Sequence, residues 1–502
     1  MTLSKLLENV TVRKMFQTLY GGMVVTHEVD VSAVAYDSRQ VRKGDLFVAV
    51  RGTGSDGHRF AVDAIHSGAK VVVLDDDTAV DDSFCMHSGT VKVVVPDTRI
   101  ALAAISASYY GRPGDGMTLV GVTGTNGKTT TASLIHSMMM RHTGTAGLIG
   151  TIEYKIGERV SPATHTTPGP LELNAFLAQM VAADCRSAVM EVSSHALDQR
   201  RVDGLRFHTA VFTNLTRDHL DYHDGMQAYF DAKKKLFMSL GADAWAVINV
   251  DDEWGKKLAG MSPGRVLTYG IDPGADLRAS EIALSTSVTR FTISHGGGKA
   301  DVSASLVGRF NVANILAAAG AGLSLGIPFS AIAEDIGMFR PVRGRFEPLV
   351  SPAGWTVIID YAHTPDALEK TLTAVREAFP EGTRGRILTV FGCGGNRDRR
   401  KRPAMGRIAA SLGDITIITS DNPRDEQPEA IIDEIVGGVE PGREMYREAD
   451  RGKAIRMALG MARKGDIVIV AGKGHEEYQV VGKERIPFSD RQTAEDSIRA
   501  LK

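Results

Sequence analysis

The chain has 502 residues, and a single hydrophobic core stops growing near about 250–300 residues, so roughly three domains follow from length. Lys and Arg total 58 against 60 Asp and Glu, a formal net charge of −2, which excludes a bulk electrostatic grip on nucleic acid or acidic lipid as the main activity. Hydrophobic residues make up 43% and charged residues 24%; only the 53 glycines stand out, and without a Gly-X-Y period they suggest strand-to-helix turns and phosphate-cradling loops.

The first section holds the strand-like runs Asp45–Val50, Lys70–Leu74 and Val91–Val95, then a helical stretch, Arg99–Tyr110, and a hinge at Gly111–Gly114. A second section opens with the strand Met117–Val122 and continues through Ser187–Val192, Thr209–Thr213 and Ala244–Val250. Its last helix is predicted at Asn311–Leu325, with Gly326 as the stop and Pro328 beyond, followed by a linker at Pro341–Arg345. The third section alternates the strands Thr356–Ile359, Ile387–Val390, Ile415–Ile418 and Ile467–Val470 with helical stretches. The pattern is α/β, with three domains expected at 1–112, 113–341 and 342–502: a central phosphate-loop parallel sheet is flanked by an N-terminal domain and a C-terminal, Rossmann-like doubly wound domain.

Cys85, Cys185 and Cys393 are too few and scattered for a disulfide framework or zinc finger, and are expected as buried thiols in a reducing compartment. The N-terminus, MTLSKLLENV, has no apolar core, and no apolar run approaches the roughly 20 residues of a membrane helix. A cytoplasmic protein without membrane insertion is the expectation.

Chemistry enters at Gly121-Val-Thr-Gly-Thr-Asn-Gly-Lys-Thr-Thr130, between a strand and a helix predicted at Thr131–Met140. Glycines let backbone amides turn toward an anion, and a helix N-terminus adds its dipole. Lys128 is placed for the β- and γ-phosphates and Thr129 for Mg²⁺, although Val122 stands where the G-x-x-x-x-G-K-[ST] pattern begins with glycine. In the third section each strand runs into a polar loop: Asp360-Tyr-Ala-His, Gly392-Cys-Gly-Gly-Asn-Arg, Ser420-Asp-Asn-Pro-Arg and Gly472-Lys-Gly-His-Glu. Ligands of doubly wound sheets bind at the carboxyl ends of the strands, so these four loops predict a binding face.

Thr-Gly-Thr-Asn-Gly-Lys-Thr-Thr, with the departure at Val122, resembles the phosphate loop of the Mur ligases, and the likeness covers essentially the whole chain. The resemblance implies ATP held by Gly124, Thr125, Asn126, Gly127, Lys128, Thr129 and Thr130, by Asn311 and Asn314 on the adenine side, and by Arg345 and Asp360 at phosphates and ribose. It implies Mg²⁺ at Thr129, Glu191, His219 and a carbamate on Lys233, with Lys128, Glu191, His219 and Lys233 as the catalytic group. From composition alone, Lys233–Lys235 is a solvated helix face, Asn311 a helix N-cap and Asp37-Ser-Arg a turn.

The first section resembles the family's uridine-nucleotide domain through Asp37-Ser-Arg39, Gly44–Val50 and Gly52–Gly57. Tyr36, Ser38, Thr166, Thr167, Ser193, Gln199 and Arg201 then match positions for the UDP-muramoyl-peptide. Asp421-Asn422-Pro423-Arg424 resembles the motif of members that add meso-2,6-diaminopimelate, with Arg397, Gly472 and Glu476 completing that site. Diaminopimelate is lysine with an extra carboxylate at its far end, and an arginine fork matches a buried carboxylate, whereas it would repel lysine's ammonium. The implied reaction joins diaminopimelate to UDP-N-acetylmuramoyl-L-alanyl-D-glutamate at the cost of ATP, by a monomer. The alternatives are the lysine-adding ligase of the family, a folylpolyglutamate synthetase, and a phosphate-loop ATPase that is not a ligase.

Overall fold

In the computed structural model, residues 1–16, 29–52, 54–285, 288–378 and 385–500 are described; Thr53 of the Gly52–Gly57 motif lies outside them. The fold is α/β. It divides into two compact units interleaved along the chain, one of Met1–Gly121, Thr143–His208 and Ser239–Gly241, the other of Val122–His142, Thr209–Met238 and Ala242–Lys502.

In the first unit, Val34–Ala35, Leu46–Val48, Val71–Leu74 and Val91–Val94 pair in parallel, and Lys14–Phe16 closes the edge antiparallel. Valine-rich strands buried on both faces are what an all-parallel sheet requires. The expected hinge is a short 3₁₀ turn, Pro113–Gly116, with Pro113 and Gly114 buried. Ser187–Glu191 pairs in parallel with Gly147–Ile149, which continues antiparallel through Glu153–Ile156 and Arg159–Pro162.

In the second unit, Phe207–Phe212, Trp245–Asn249, Arg265–Gly270 and Leu277–Leu284 run parallel, and Thr289–His295 and Gly298–Ala304 extend that sheet antiparallel. The expected last helix of the central section exists, at Arg309–Ser324, but it is not the last: Phe329–Met338 forms another, with Pro328 as its N-cap. Proline fits a helix entrance as readily as it follows an exit, because the first-turn N–H groups have no intrahelical partner.

A six-stranded sheet follows, with strand order Glu347–Val350, Thr356–Asp360, Ile467–Ala471, Ile387–Phe391, Ile415–Ile418, Met445–Arg447, parallel except for the first strand; a short hairpin, Tyr478–Val481 with Glu484–Pro487, lies outside it. The four predicted strands are there within a residue, so their carboxyl ends share one edge. Cys85, Cys185 and Cys393 are buried and free, as expected, and burial pushes the Cys393 thiol up to about 12.

Candidate active site

The phosphate loop folds as the sequence implies. Gly124 and Gly127 have φ of +149° and +85°, and a side chain on Gly127 would collide with the Asn314 amide. The helix starts earlier than predicted, at Lys128–Thr143, which places Lys128 and Thr129 in its first turn. Lys128 Nζ folds back onto the carbonyls of Gly124 (3.1 Å) and Thr125 (2.8 Å). Asn126 is pinned by Asn214 Oδ1 (3.0 Å) and by Asp366 (2.7 Å). Arg345 donates to Thr129 Oγ1 at 3.0 Å and stacks 4.5 Å from the Tyr361 ring, while its buried Nε has no hydrogen-bond partner among the described residues.

Asn126, Gly127, Thr129, Thr130 and Arg345 line a cavity of about 560 Å³ together with Asn311, Asn314 and Asp360, whereas Gly124, Thr125 and Lys128 do not line it. Asn311 is not an N-cap, because Gly308 takes that place; its amide bonds Val307 O (2.8 Å) and accepts from Asn314 (3.0 Å). Asp360 is buried and accepts from Phe346 N, Ala362 N and Thr371 Oγ1. Burial raises its pKa against the opposing pull of Arg345.

Lys233 is not on a solvated face. It is 1% exposed, donates to Gly124 O at 2.8 Å and sits 4.7 Å from the Tyr229 ring. Burial, then repulsion from Lys128, drives its pKa well below that of an ordinary lysine. Lys234 keeps the expected surface role, paired with Asp231. His219 adopts a left-handed backbone, φ +54°, beside Asp218. Asp218 is held below the usual carboxylate range: burial opposes this, and His219, His363 and Lys401 overcome it. Among the described residues no three His, Cys, Asp or Glu side chains form a metal cluster. Mg²⁺ normally keeps several waters and phosphate oxygens, so one or two protein oxygens suffice and the donor set remains compatible with it.

In the other unit, Glu191 accepts from Thr151 N (2.8 Å) and Oγ1 (2.9 Å) at a strand end. A second cavity there, of about 1260 Å³, is lined by Tyr36, Ser38, Gln199 and Arg201. Arg201 is held by Gln199 Oε1 (2.7 Å) and Thr167 O (2.7 Å), and Tyr36 by Glu172 (2.8 Å). Thr166, Thr167 and Ser193 form the adjoining hydrogen-bond network instead of lining the cavity. Asp37 indeed makes a turn, capping Ser38–Gln40.

The third cavity, about 240 Å³, draws on all four loops at the edge of the last sheet. Arg397, Asp421, Asn422, Arg424, Gly472 and Glu476 line it, and so does His219; Pro423 does not. Arg424, at φ +52°, donates to Gly395 O (2.7 Å), and burial, then Arg397, lowers its pKa. Neither Arg397 nor Arg424 has a carboxylate partner among the described residues. Tyr361 and His363 line both this cavity and the one beside the phosphate loop. His363 is half-buried, and desolvation, then Lys401, lowers its pKa. Sequence reasoning missed Tyr361, His363 and Lys473, although all three stand in loops singled out for their position after a strand.

A phosphate loop facing one cavity, with an arginine-lined cavity across a shared wall, defines a nucleotide-dependent α/β enzyme. Three family models match in succession: Mur ligase family, catalytic domain, over residues 30–110; Mur ligase middle domain over 122–322; and Mur ligase, glutamate ligase domain, over 344–474. The UDP-N-acetylmuramoyl-L-alanyl-D-glutamate–2,6-diaminopimelate ligase of Gloeobacter violaceus is 46% identical over 94% of each chain. That of Geobacter sulfurreducens is 44% identical over 94% of this chain and 95% of its own. A solved structure of a ligase of that name is 31% identical, with a TM-score of 0.66 over 94% of this chain and 95% of that one. Folylpolyglutamate synthase of Mycobacterium tuberculosis shares the fold at 18% identity, a TM-score of 0.60 and coverage of 75% of this chain and 92% of its own. The chain belongs to the Mur ligase family and has its three-domain layout.

Proposed function

We infer that the chain is an ATP-dependent, ADP-forming ligase that adds meso-2,6-diaminopimelate to UDP-N-acetylmuramoyl-L-alanyl-D-glutamate in peptidoglycan precursor synthesis. The observation that carries this reading is the third cavity, where Arg397 and Arg424 lack acidic partners and share the walls with Asp421 and Glu476. That lining suits a ligand end bearing both a carboxylate and an ammonium.

A carboxylate is a poor acyl donor because oxide is a poor leaving group. Transfer of the γ-phosphoryl group makes an acyl phosphate, the amine attacks its carbonyl, and the tetrahedral intermediate expels phosphate. Lys128 draws the γ-phosphate toward the substrate carboxylate, and Arg345, with its unpartnered Nε, takes a phosphate oxygen. Thr129, His219 and Lys233 as a carbamate would hold Mg²⁺, which supplies charge neutralisation between the two reacting anions. Burial lowers the pKa of the Lys233 amine and so favours the uncharged form, the one that adds to CO₂. Asn311, Asn314 and Asp360 hold the nucleoside, and the cavity of Tyr36, Ser38, Gln199 and Arg201 takes the UDP-muramoyl-peptide. The three roles fall to 1–112, 113–341 and 342–502. A monomer in the cytoplasm is the matching cellular form; no described helix is long and apolar enough to cross a membrane.

The test is ADP release with each substrate omitted in turn, repeated with L-lysine in place of diaminopimelate. Release is expected only with all three substrates. Appreciable turnover without the UDP-muramoyl-dipeptide overturns the ligase reading, and equal use of lysine overturns the choice of amino acid.

A further inference from the structure

Lys473 stands between Gly472 and Gly474, whose φ values are +118° and +53°, and its side chain is 0% exposed. Its ammonium donates to Asn422 Oδ1 (3.0 Å) and Glu476 Oε2 (2.8 Å) and lies 3.5 Å from Asp421 Oδ1. Asn422 Oδ1 also accepts from Val480 N at 2.9 Å, which leaves the amide nitrogen to face Glu476 Oε2 at 3.0 Å. One buried cation therefore fixes the orientation of two side chains, Asn422 and Glu476, that line this cavity, without itself lining it.

We propose that Lys473 is a positioning residue for the amino-acid site, acting by locking Asn422 and Glu476. The proposal rests on the ligase reading above. An amide free to turn presents its donor and acceptor to a ligand in either order, whereas Asn422, held through both ends, presents one.

The experiment measures kcat and KM for diaminopimelate and L-lysine, KM for ATP and for the UDP-muramoyl-dipeptide, and Tm, in the full chain. It compares the natural protein with Lys473→Met and with the double variant Lys473→Met/Glu476→Gln. For Lys473→Met, KM for diaminopimelate should rise at least about tenfold, worth about 1.4 kcal/mol. KM for the other two substrates should stay within about twofold. The double variant removes one charge of each sign, so it tests the lost lock at the natural net charge, and it should show the raised KM as well. An unchanged diaminopimelate KM in either folded variant overturns the proposal, as does a uniform loss for all three substrates. A natural protein that ignores diaminopimelate overturns the ligase reading together with this one. One that uses it, with variants whose diaminopimelate KM is unchanged, overturns this one alone.

Discussion

Two pairs of arginines in the last sheet's surroundings have opposite lives. The side chains of Arg402 and Arg451 are 0% exposed and paired with acid: Arg402 bonds Glu426 and Glu434, and Arg451 grips Asp490 through two contacts of 2.7 Å while also bonding Ser420 O and Ala471 O. Arg397 and Arg424 line the third cavity and, among the described residues, bond backbone carbonyls and no acid. The first pair staples the loops together, and the second is the pair proposed above for a ligand carboxylate. A cation's partners, more than its burial, separate scaffold from site.

Removing a scaffold arginine should have the largest effect. Arg451→Met leaves Asp490, also 0% exposed, without its partner, and breaking such a pair costs about 3–5 kcal/mol. Chemical unfolding should show that loss, while the ratio of diaminopimelate to lysine turnover in the protein that remains folded should stay put; a shifted ratio would blur the division between the pairs. Arg424→Ala should do the reverse, lowering kcat/KM for diaminopimelate by about 100-fold, worth about 2.7 kcal/mol, with Tm nearly unchanged. Arg424→Lys should recover part of it, since a point charge replaces a fork. Arg397→Ala, on the more exposed partner, should cost about tenfold by the same assay.

The smallest effect is on pH. The Arg402 guanidinium beside Glu426 holds that carboxyl near about 2, against 4.5 for an ordinary glutamate. A depressed folded-state value stabilises the protein above the unfolded value, and the benefit fades as pH falls from about 4.5 through 2. Urea midpoints measured from pH 5 down to pH 3 should fall more steeply in the natural protein than in Arg402→Met, and parallel slopes would remove Glu426 from the scaffold.

The parts of this molecule legible in sequence are those that chemistry confines to a few consecutive residues. The phosphate loop is one peptide turn, and Asp421–Arg424 is one loop after one strand, so both could be read locally. Lys473 was passed over because its meaning lies in Asn422 and Glu476, one of them 51 residues away, and nothing in Gly-Lys-Gly says whether its side chain points in or out. Lys233 misled composition for the same reason: three consecutive lysines look solvated, yet a helix turns successive residues about 100° apart, and only one of these faces the core. The strands Leu277–Leu284, Thr289–His295 and Gly298–Ala304 went unread because their alternation is diluted by Ser, Thr and Gly: only Leu277 and Ala279 are buried in the first, and Thr289, Phe291 and Ile293 in the second.

Tyr361 and His363 line both the cavity beside the phosphate loop and the arginine-lined cavity at the sheet edge, the two proposed above for nucleotide and amino acid. A single compound threaded past them, with an adenine-like head and a diaminopimelate-like tail, would lose its translational and rotational freedom once instead of twice. The second head would then meet its site at a high effective concentration, which makes this partition the place to begin designing a bisubstrate inhibitor.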